Sequence, residues 1–347
     1  MRIRAAVLER LGAPLCIHSL DVGPLATGQV QVRVLFSGVC RSQLMEVQGK
    51  RGADPWLPHL LGHEGSGIVE ATGPGVTKVR PGDAVILTWI KGEGLDAPGG
   101  DFVRAGQRIN AGPVTTFSTH TVVSENRLVL KPPGLDFDIA VLFGCALPTG
   151  GGMVINELAL KPTHKVVVLG LGGVGLSALL ALLACGVERP VVIDSEPAKL
   201  ATAAGWGAIP VSANSPDVQR EVFDRFPGGA DVCIEAAGSA RTIEMGFSLI
   251  RKAGGQLLFA SHPPEGETIS LRPHDLISGK RIAGSWGGGV KPDRDVLRLH
   301  RLLGAGPVPL QSLLTRRYPL DEVNQALSDL DAGRVFRPLL DMGHARA

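Results

Sequence analysis

Residues 165–175 read KVVVLGLGGVG, and this stretch decides the fold. A β-branched run typical of a buried strand is followed at once by Gly170, Gly172 and Gly175 in the pattern G-x-G-x-x-G. The first glycine permits a tight turn, the second lets backbone amides approach a pyrophosphate, and the third lets the next helix pack on the strand. The stretch therefore predicts a dinucleotide-binding βαβ unit.

A carboxylate follows at the expected distance. The next apolar run ends in VVID at Asp194, 19 residues after Gly175, and the residue after it is a small serine. A carboxylate at about this spacing binds the adenosine ribose hydroxyls and repels a 2′-phosphate. We therefore predict NAD(H) rather than NADP(H). The alternative, that the glycines serve packing alone, does not account for an acid in register with the strand and helix.

After residue 150, strand-length and helix-length stretches alternate, which is typical of a doubly wound parallel sheet. The predicted strands are 165–169, 190–194, 209–211, 230–236, 256–260 and 281–285, and the predicted helices between them are 174–185, 197–206, 216–226, 240–251 and 273–278. Six parallel strands are expected.

Residues 2–144 are instead a series of short apolar runs separated by Gly-Pro turns, which predicts a β-rich first domain. The predicted strands are 30–36, 67–71, 83–88, 121–123 and 128–130. The tail predicts helices at 292–303 and 318–331. Periodicity alone leaves open whether this tail caps the sheet or returns to the first domain.

The composition is that of a globular chain of 347 residues, long enough for two domains. Hydrophobic residues make up 44% and there are 46 glycines, which excludes intrinsic disorder. The formal charge of +2, without runs of like charge, gives no sign of nucleic-acid binding. A small-molecule substrate is the better expectation.

The cysteines and the start of the chain indicate the compartment. Five widely spaced cysteines, and a first segment without the apolar core of a secretory signal, predict a reducing cytoplasm. Residues 166–187 carry no charge and are long enough to span a membrane. Their β-branched start and crowded glycines predict a strand, a turn and a core helix instead, so no membrane partner is expected.

Three separated residues predict a metal site. Cys40 lies in GVCRS, His63 precedes Glu64 in GHE, and Cys145 lies in LFGCALPTG. Two cysteines and one histidine are a ligand set for catalytic zinc, with one position left open for a substrate oxygen that the zinc polarises. Taken singly, each residue has a plainer interpretation, because free cysteines and lone histidines are commonly buried in cores.

Several motifs together carry a family resemblance. They are GVCRSQ (38–43), LGHEGSGIV (61–69), GPGV (73–76), PGDAV (81–85), GLGGVG (170–175), GSWGGG (284–289) and LDEVNQALSDLDAGRVFRPLL (320–340). The chain resembles the medium-chain dehydrogenase/reductases and, more narrowly, the zinc-dependent alcohol dehydrogenases. The resemblance implies an α/β protein in which a GroES-like β-rich catalytic domain (1–148 and 287–347) carries an inserted Rossmann domain (149–286). It also implies a homodimer or homotetramer and an alcohol or carbonyl substrate.

The resemblance assigns roles to individual residues. Cys40, His63 and Cys145 become zinc ligands, with Glu64 beside the metal as an alternate ligand, Ser42 accepts the alcohol proton, and Trp89 forms a wall of the substrate pocket. The implied cofactor-binding residues are Arg41, Thr149, Gly170, Gly172, Gly173, Val174, Gly175, Asp194, Lys199, Ser285 and Arg337.

Three departures from the family pattern change these expectations. Residues 90–112 contain no cysteine where many relatives hold a structural zinc, so we expect one catalytic zinc per chain. Gln43 stands where an aspartate usually orients the zinc-bound histidine, and Met45 where some members place a histidine that passes the proton onward. The route of the proton beyond Ser42 is therefore left open.

The leading interpretation is a zinc-dependent, NAD-linked oxidoreductase that interconverts an alcohol with its aldehyde or ketone. Two alternatives remain: a zinc-free reductase of the enone or quinone type, and a dinucleotide-binding protein without catalysis. The substrate is open as well. Lys91, Arg104 and Arg108 meet an anionic or polyhydroxylated substrate, or else they form a solvated basic loop.

Overall fold

The computed structural model describes residues 1–260 and 262–344. Within them the strands are β1 (Arg2–Leu8), β2 (Cys16–Val22), β3 (Gln29–Gly38), β4 (His59–Leu60), β5 (Gly65–Thr72), β6 (Ala84–Leu87), β7 (Phe102–Arg104), β8 (Gln107–Ile109), β9 (His120–Ser124), β10 (Leu128–Leu130), β11 (Val166–Leu169), β12 (Val191–Asp194), β13 (Ile209–Ser212), β14 (Val232–Glu235), β15 (Gln256–Phe259), β16 (Arg281–Gly284), β17 (Arg316–Pro319) and β18 (Pro338–Asp341).

The helices of the same residues are α1 (Arg41–Val47), α2 (Phe137–Ala140), α3 (Ala146–Gly152), α4 (Gly173–Ala184), α5 (Pro197–Gly205), α6 (Val218–Arg225), α7 (Ala240–Leu249), α8 (Pro273–Ile277), α9 (Pro292–Gly304) and α10 (Val323–Asp331). A π-helical turn, Met153–Glu157, continues α3. No single described helix is long and apolar enough to cross a membrane, and segments 137–144 and 146–157 reach that threshold only as a bent pair.

The described residues form two compact units. The first unit comprises Met1–Cys145, Lys291–Leu297 and the residues described from 311 onward, and the second comprises Ala146–Val290 and Arg298–Leu310. The division therefore falls at 145/146 and 290/291 rather than at the expected 148/149 and 286/287, and residues 298–310 join the second unit.

Packing explains why α3 belongs to the second unit. A Cβ at Gly150 would collide with the carbonyl oxygen of Val174 in α4, so the two helices approach closely at this glycine. A Cβ at Gly151 would lie 2.8 Å from Leu299 of α9. The glycines of 150–152 thus fit α3 against its own unit, which the sequence boundary at 148 did not anticipate.

The second unit confirms the predicted parallel sheet. Its six strands run in the order β13-β12-β11-β14-β15-β16, and every neighbouring pair is parallel. Strand β11 is buried along its whole length, as is the apolar middle of α4. The uncharged stretch 166–187 is therefore a core strand, a turn and a core helix, as predicted.

The first unit contains two sheets. One has the order β4-β1-β2-β7-β8, and the other has the order β10-β6-β5-β3-β18-β17, with β9 also paired to β3. Strand β18 pairs antiparallel with β3, placing Leu339 opposite Gly38. The Val39 N–H donates to the Pro338 carbonyl oxygen at 3.0 Å. The end of the chain thus returns to the first domain and brings Arg337 to the end of β3.

The predicted helix 318–331 is wrong in its first part. Tyr318 lies in β17, paired with Leu340 of β18, and α10 begins only at Val323. The ring of Pro319 disfavours a helix at the residue before it, and strand pairing buries the Tyr318 side chain completely. The Tyr318 hydroxyl donates to Asp329 at 2.6 Å, which ties β17 to α10.

Carboxylates hold the cysteine-free segment 90–112 at its start. Glu125 accepts hydrogen bonds from the N–H groups of Thr77 and Lys78, each at 2.7 Å, and of Leu95 at 2.6 Å. Asp293 accepts the Glu93 N–H at 2.7 Å and pairs with Lys78 at 2.5 Å. Backbone N–H groups bonded to an ionised carboxylate make strong hydrogen bonds, so two acids order this loop.

Candidate metal centre and nucleotide loop

Four residues of the first unit converge on one point. The ligand atoms of Cys40, His63, Glu64 and Cys145 all lie within 4.8 Å of one another. His63 Nε2 lies 3.3 Å from Cys145 Sγ. The structure therefore brings together the three predicted zinc ligands and the predicted alternate ligand, although they are far apart in the sequence.

Short backbone features place each ligand. Cys40 follows β3 and caps the start of α1. His63 and Glu64 lie between β4 and β5, after Gly62, whose φ of +90° is readily adopted only by glycine. Cys145 follows the 3₁₀ turn of 141–144. The ligands thus sit at the ends of strands and turns whose positions the sheet fixes.

Two glycines make room for the buried carboxylate. A Cβ at Gly38 would lie 2.7 Å from the Glu64 carboxyl carbon, and a Cβ at Gly144 would lie 2.8 Å from the Glu64 Cβ. Both glycines belong to the motifs that contain the cysteine ligands. Any side chain at either position would displace Glu64. These motifs therefore supply the cysteine ligands and also leave the space that the Glu64 side chain occupies.

Arg337 supplies the positive charge of the cluster. Its guanidinium donates to Glu64, and both side chains are buried. Burial raises the pKa of the Glu64 carboxyl, while Arg337 limits that rise. Burial also lowers the pKa of the Arg337 guanidinium, but the negative charges of Glu64, Cys40 and Cys145 outweigh it, so the pKa is raised. The sequence assigned Arg337 to the cofactor; the structure pairs it with Glu64.

The pKa values of the two thiols are shifted in opposite directions. A hydrogen bond from Cys145 and the nearby charge of Arg337 hold the pKa of the Cys40 thiol well below its ordinary value, against the effect of burial. The same hydrogen bond, together with burial, raises the pKa of Cys145. The side chains alone therefore favour one thiolate and one thiol. A divalent cation binds thiolates, so its binding releases a proton.

Gln43 connects two of the ligands. Its side-chain oxygen accepts the Cys40 N–H at 3.1 Å, and its amide nitrogen faces His63 Nδ1. The His63 ring is thereby oriented with Nε2 toward the thiols. An amide orients the imidazole without adding the negative charge that a carboxylate would bring.

Two buried oxygen atoms near the cluster are available to bind a ligand. Glu64 Oε2 and Ser42 Oγ are buried and have no hydrogen-bond partner among the described residues. Buried polar atoms are rarely left unpaired. Sulfur and imidazole donors with a nearby carboxylate suit zinc, whereas magnesium and calcium prefer sites made of oxygen. The donor set therefore fits a catalytic zinc ion.

The glycine loop of the second unit has the geometry that its motif requires. Gly170 has a φ of +90°. A Cβ at Gly175 would collide with the Gly170 carbonyl oxygen, so the third glycine is needed for the helix to meet the strand.

Gly172 differs from its neighbours. It caps α4 with a φ of −78°, which any residue adopts, and a Cβ there would meet no atom within 4 Å. The protein alone therefore does not require glycine at this position. The free N–H groups at the start of α4 border the open space, which fits a pyrophosphate approaching the backbone.

Asp194 lies at the carboxyl end of β12, beside this loop. Its carboxylate accepts the Leu171 N–H at 2.6 Å and the Glu196 N–H at 2.9 Å, and Lys199 Nζ lies 3.8 Å away. The predicted partners Asp194 and Lys199 are thus adjacent.

The remaining residues predicted to bind the cofactor are distributed over both units. Ser285 follows β16 and its hydroxyl accepts the Gly288 N–H at 3.1 Å, while Thr149 is buried in α3. Val174 and Gly173 begin α4. Arg41 is exposed at the start of α1. Each of these residues remains a prediction for cofactor binding.

The residues predicted for the substrate are on the surface or in the core. Trp89 is partly buried against the apolar cluster of Val85 and Val123. Lys91 pairs with Asp96 at 2.6 Å, Arg104 with Glu9, and Arg108 with Asp101 at 3.4 Å. Because each base already faces an acid, the structure favours a solvated loop over a basic substrate site.

Sequence reasoning missed a cavity in the first unit. A cavity of about 540 Å³ is bordered by His63 and Gln43, and its wall includes Glu46, Asp54 and His59. The last two belong to ADPWLPH, the run that precedes the GHE motif. Charged residues directly upstream of a metal-ligand motif were the available signal.

Comparisons with known proteins match both units. Residues 26–133 match the family described as alcohol dehydrogenase GroES-like domain, and residues 173–303 match zinc-binding dehydrogenase. A Mycobacterium tuberculosis protein named as an alcohol dehydrogenase is 31% identical, over 98% of this chain and 100% of that protein.

Solved structures agree. Benzyl alcohol dehydrogenase from Acinetobacter calcoaceticus superimposes with a TM-score of 0.88 at 27% identity, over 99% of this chain and 100% of that one. An alcohol dehydrogenase zinc-binding domain protein from Burkholderia ambifaria gives a TM-score of 0.90 at 26% identity over the same shares.

A β-rich domain in which two cysteines and a histidine converge, joined to a glycine-loop parallel sheet, defines an oxidoreductase of the medium-chain type. The chain belongs to the zinc-dependent alcohol dehydrogenase family of the medium-chain dehydrogenase/reductases. The predicted fold class, family and enzyme class are confirmed.

Proposed function

We propose that the protein is a zinc-dependent, NAD-linked dehydrogenase that interconverts an alcohol with its aldehyde or ketone. The observation that carries this proposal is the convergence of Cys40, His63 and Cys145 around an orphaned oxygen of Glu64. Oxidation moves a hydride from the alcohol carbon to NAD and releases the hydroxyl proton. A zinc-free reductase would have no use for this set of ligands.

The residues of the metal site have separate proposed roles. Cys40, His63 and Cys145 hold the metal, and Glu64 is available as an alternate ligand balanced by Arg337. When bound, zinc supplies Lewis-acid polarisation of the substrate oxygen. Gln43 keeps the His63 ring turned toward the thiols. One zinc per chain is proposed, because segment 90–112 contains no cysteine.

Ser42 is the proposed first acceptor of the alcohol proton. Its hydroxyl is buried and has no hydrogen-bond partner among the described residues, so it is free to bond to a substrate. Met45, one turn further along α1, has no titratable group. The proton therefore leaves Ser42 by a cofactor hydroxyl or water and not through a histidine at this position.

NAD is the proposed cofactor because of Asp194. We expect kcat/KM for NAD to exceed that for NADP by about 100-fold, since the carboxylate bonds to ribose hydroxyls and repels a 2′-phosphate. Asp194→Asn keeps an amide oxygen for the Leu171 N–H but removes the charge, so the preference is expected to fall about tenfold or more. Initial rates with both cofactors, across a panel of alcohols, test this expectation.

The matched control is Asp224→Asn, the same substitution at an exposed site of α6. It should leave the cofactor preference unchanged. A wild-type enzyme that prefers NADP, or a preference that Asp194→Asn does not alter, would contradict the assignment of Asp194.

A homo-oligomer is also proposed. Strand β16 is a sheet edge and mostly exposed, and the large apolar side chains of Leu276, Ile277 and Trp286 lie near it in sequence, with Ile277 81% exposed. Unpaired edges and exposed apolar patches are typical of interfaces.

Light scattering tests the oligomer. We expect a mass two or four times 36.3 kDa. Ile277→Asp should lower that mass, whereas Leu130→Asp, at another exposed apolar side chain, should leave it unchanged. A wild-type mass of one chain would refute the proposal.

The cysteines support a reducing compartment. None of the five, all of which the structure describes, forms a disulfide, and Cys40 and Cys145 must remain reduced to bind a metal. We therefore propose that the enzyme works in the cytoplasm.

A further inference from the structure

The cavity that the sequence analysis missed has several polar side chains in its wall. It belongs to the first unit, measures about 540 Å³ and is bordered by His63, a metal-ligand candidate. Small-molecule sites commonly have volumes in this range. The side chains of its wall therefore bear on the choice of substrate.

One part of the wall is a fixed acidic group. Asp54 Oδ2 lies 2.8 Å from His59 Nε2, and His59 Nδ1 lies 3.0 Å from the Leu60 carbonyl oxygen. His59 is buried and held at both ring nitrogens. This pair needs no ligand to be ordered, and it presents a carboxylate in a defined position.

Glu46 is a second carboxylate in the wall, and its oxygens can accept further hydrogen bonds. Its Oε1 lies 3.9 Å from His59 Nε2, beyond hydrogen-bond distance, and no described residue donates a hydrogen bond to it. Burial raises the pKa of the Glu46 carboxyl, and the charges of His59 and Arg51 oppose that rise. The acceptor oxygens of Glu46 are available to a ligand.

Arg51 brings the opposite charge to the same cavity. Its guanidinium is exposed and has neither an ion pair nor a hydrogen bond with the residues that the structure describes. The wall thus offers two carboxylates and one guanidinium. A ligand of a single charge would meet a like charge here, whereas a neutral ligand with several hydroxyls donates to the acids and accepts from the arginine.

Trp56 lines this cavity, and hydrogen bonds hold its backbone. The Trp56 side chain is exposed, with 67% of the residue accessible, while its backbone N–H donates to Asp54 Oδ1 at 2.9 Å and its carbonyl oxygen accepts from Asn110 Nδ2 at 2.7 Å. Its backbone is therefore held on both sides. A large exposed aromatic surface offers an apolar face to the C–H side of a carbon skeleton whose hydroxyls point elsewhere.

We propose that this cavity binds the non-reacting hydroxyl groups of a neutral, polyhydroxylated alcohol, with Glu46 and Arg51 as its hydrogen-bonding residues and Trp56 as its apolar wall. The inference rests on the proposed dehydrogenase function and narrows its substrate class. It replaces the basic loop around Lys91 as the region that recognises hydroxyls.

The test compares matched alcohols with the zinc- and NAD-loaded enzyme. myo-Inositol and cyclohexanol share one ring and differ in five hydroxyls, and erythritol, xylitol and sorbitol extend the set to open chains. We expect kcat/KM for the best polyol to exceed that for cyclohexanol by about 10- to 100-fold, the effect of one or two hydrogen bonds to charged groups. Glu46→Gln and Trp56→Ala should lower this ratio by about tenfold or more, through KM.

Glu322→Gln, the same substitution at an exposed carboxylate of the first unit, serves as the control and should leave the ratio unchanged. A wild-type enzyme that favours cyclohexanol over every polyol overturns the inference. So does a ratio that neither cavity variant alters.

A binding measurement separates this inference from the proposed function. If no alcohol is turned over, the proposed function fails. A titration with polyols, monitored by indole fluorescence, then tests the polyol-binding inference by itself. A saturable change that is lost in Trp56→Ala supports the cavity as a polyol site. The absence of a saturable change overturns it.

Discussion

Cys40→Ser is expected to lower kcat/KM for alcohol oxidation by about 1,000-fold or more, because Lewis-acid catalysis contributes several kcal/mol. Cys40 is one of the two sulfur ligands, and the pKa of its thiol is held well below its ordinary value, which favours the thiolate form that binds a metal. A serine hydroxyl does not replace it. The glycine loop belongs to the other unit, so NADH affinity should change by less than about twofold. Steady-state kinetics and NADH titration measure the two effects.

The control is Cys16→Ser, which changes an exposed cysteine of the same unit. Its kinetics should match those of the wild type. Full turnover in Cys40→Ser would contradict a catalytic role for a metal held by Cys40. Loss of NADH binding would show that the substitution damages more than the metal site.

Gly172→Asp should weaken NADH binding by about 100-fold or more while the cofactor-free protein keeps its melting temperature. A side chain at this position fills the space that borders the start of α4, and its charge repels the pyrophosphate. No protein atom lies within 4 Å of the added Cβ, and aspartate is a favourable helix N-cap residue. Fluorescence titration with NADH and thermal denaturation without cofactor provide the two readouts.

Gly205→Asp is the matched control, because Gly205 is another glycine of the second unit whose Cβ would meet nothing within 4 Å. Gly205 ends α5. In a βαβ unit a helix ends near the amino ends of the strands, whereas the glycine loop lies at their carboxyl ends. NADH affinity should be unchanged there. Unaltered NADH binding in Gly172→Asp would refute the glycine loop as the pyrophosphate site.

The features of the second unit that depend on residues close together in the sequence were predicted best. The turn at Gly170, the close approach at Gly175 and the acid at Asp194 follow from steric and charge requirements within one βαβ unit. The six parallel strands follow from the alternation of short apolar runs with helical ones, and the structure confirms all six.

The metal cluster required more than local pattern. From the residues alone, Cys40, His63 and Cys145 were either a zinc ligand set or three separate residues of the core, and the resemblance favoured the zinc ligands. Nothing local indicated that β18 would pair with β3 and carry Arg337 to Glu64. Such pairing between distant segments depends on the assembled sheets.

The cavity could not be predicted for a related reason. Glu46 lies in α1, and Arg51 and Asp54 follow it in a stretch for which the sequence analysis predicted no element. The Asp54 carboxylate accepts hydrogen bonds from the His59 ring and from the Trp56 backbone N–H, and these bonds decide that it faces the cavity rather than bulk water. Which charged residues of a loop turn inward is a property of the folded loop.

Metal content per chain, measured by plasma mass spectrometry on freshly purified protein, tests the central claim most directly. The donor set predicts about one zinc per chain in the wild type and in Cys16→Ser, and almost none in Cys40→Ser. A wild-type protein that holds no zinc even after incubation with zinc, or a Cys40→Ser protein that keeps its zinc, would contradict the assignment of this cluster as the metal centre.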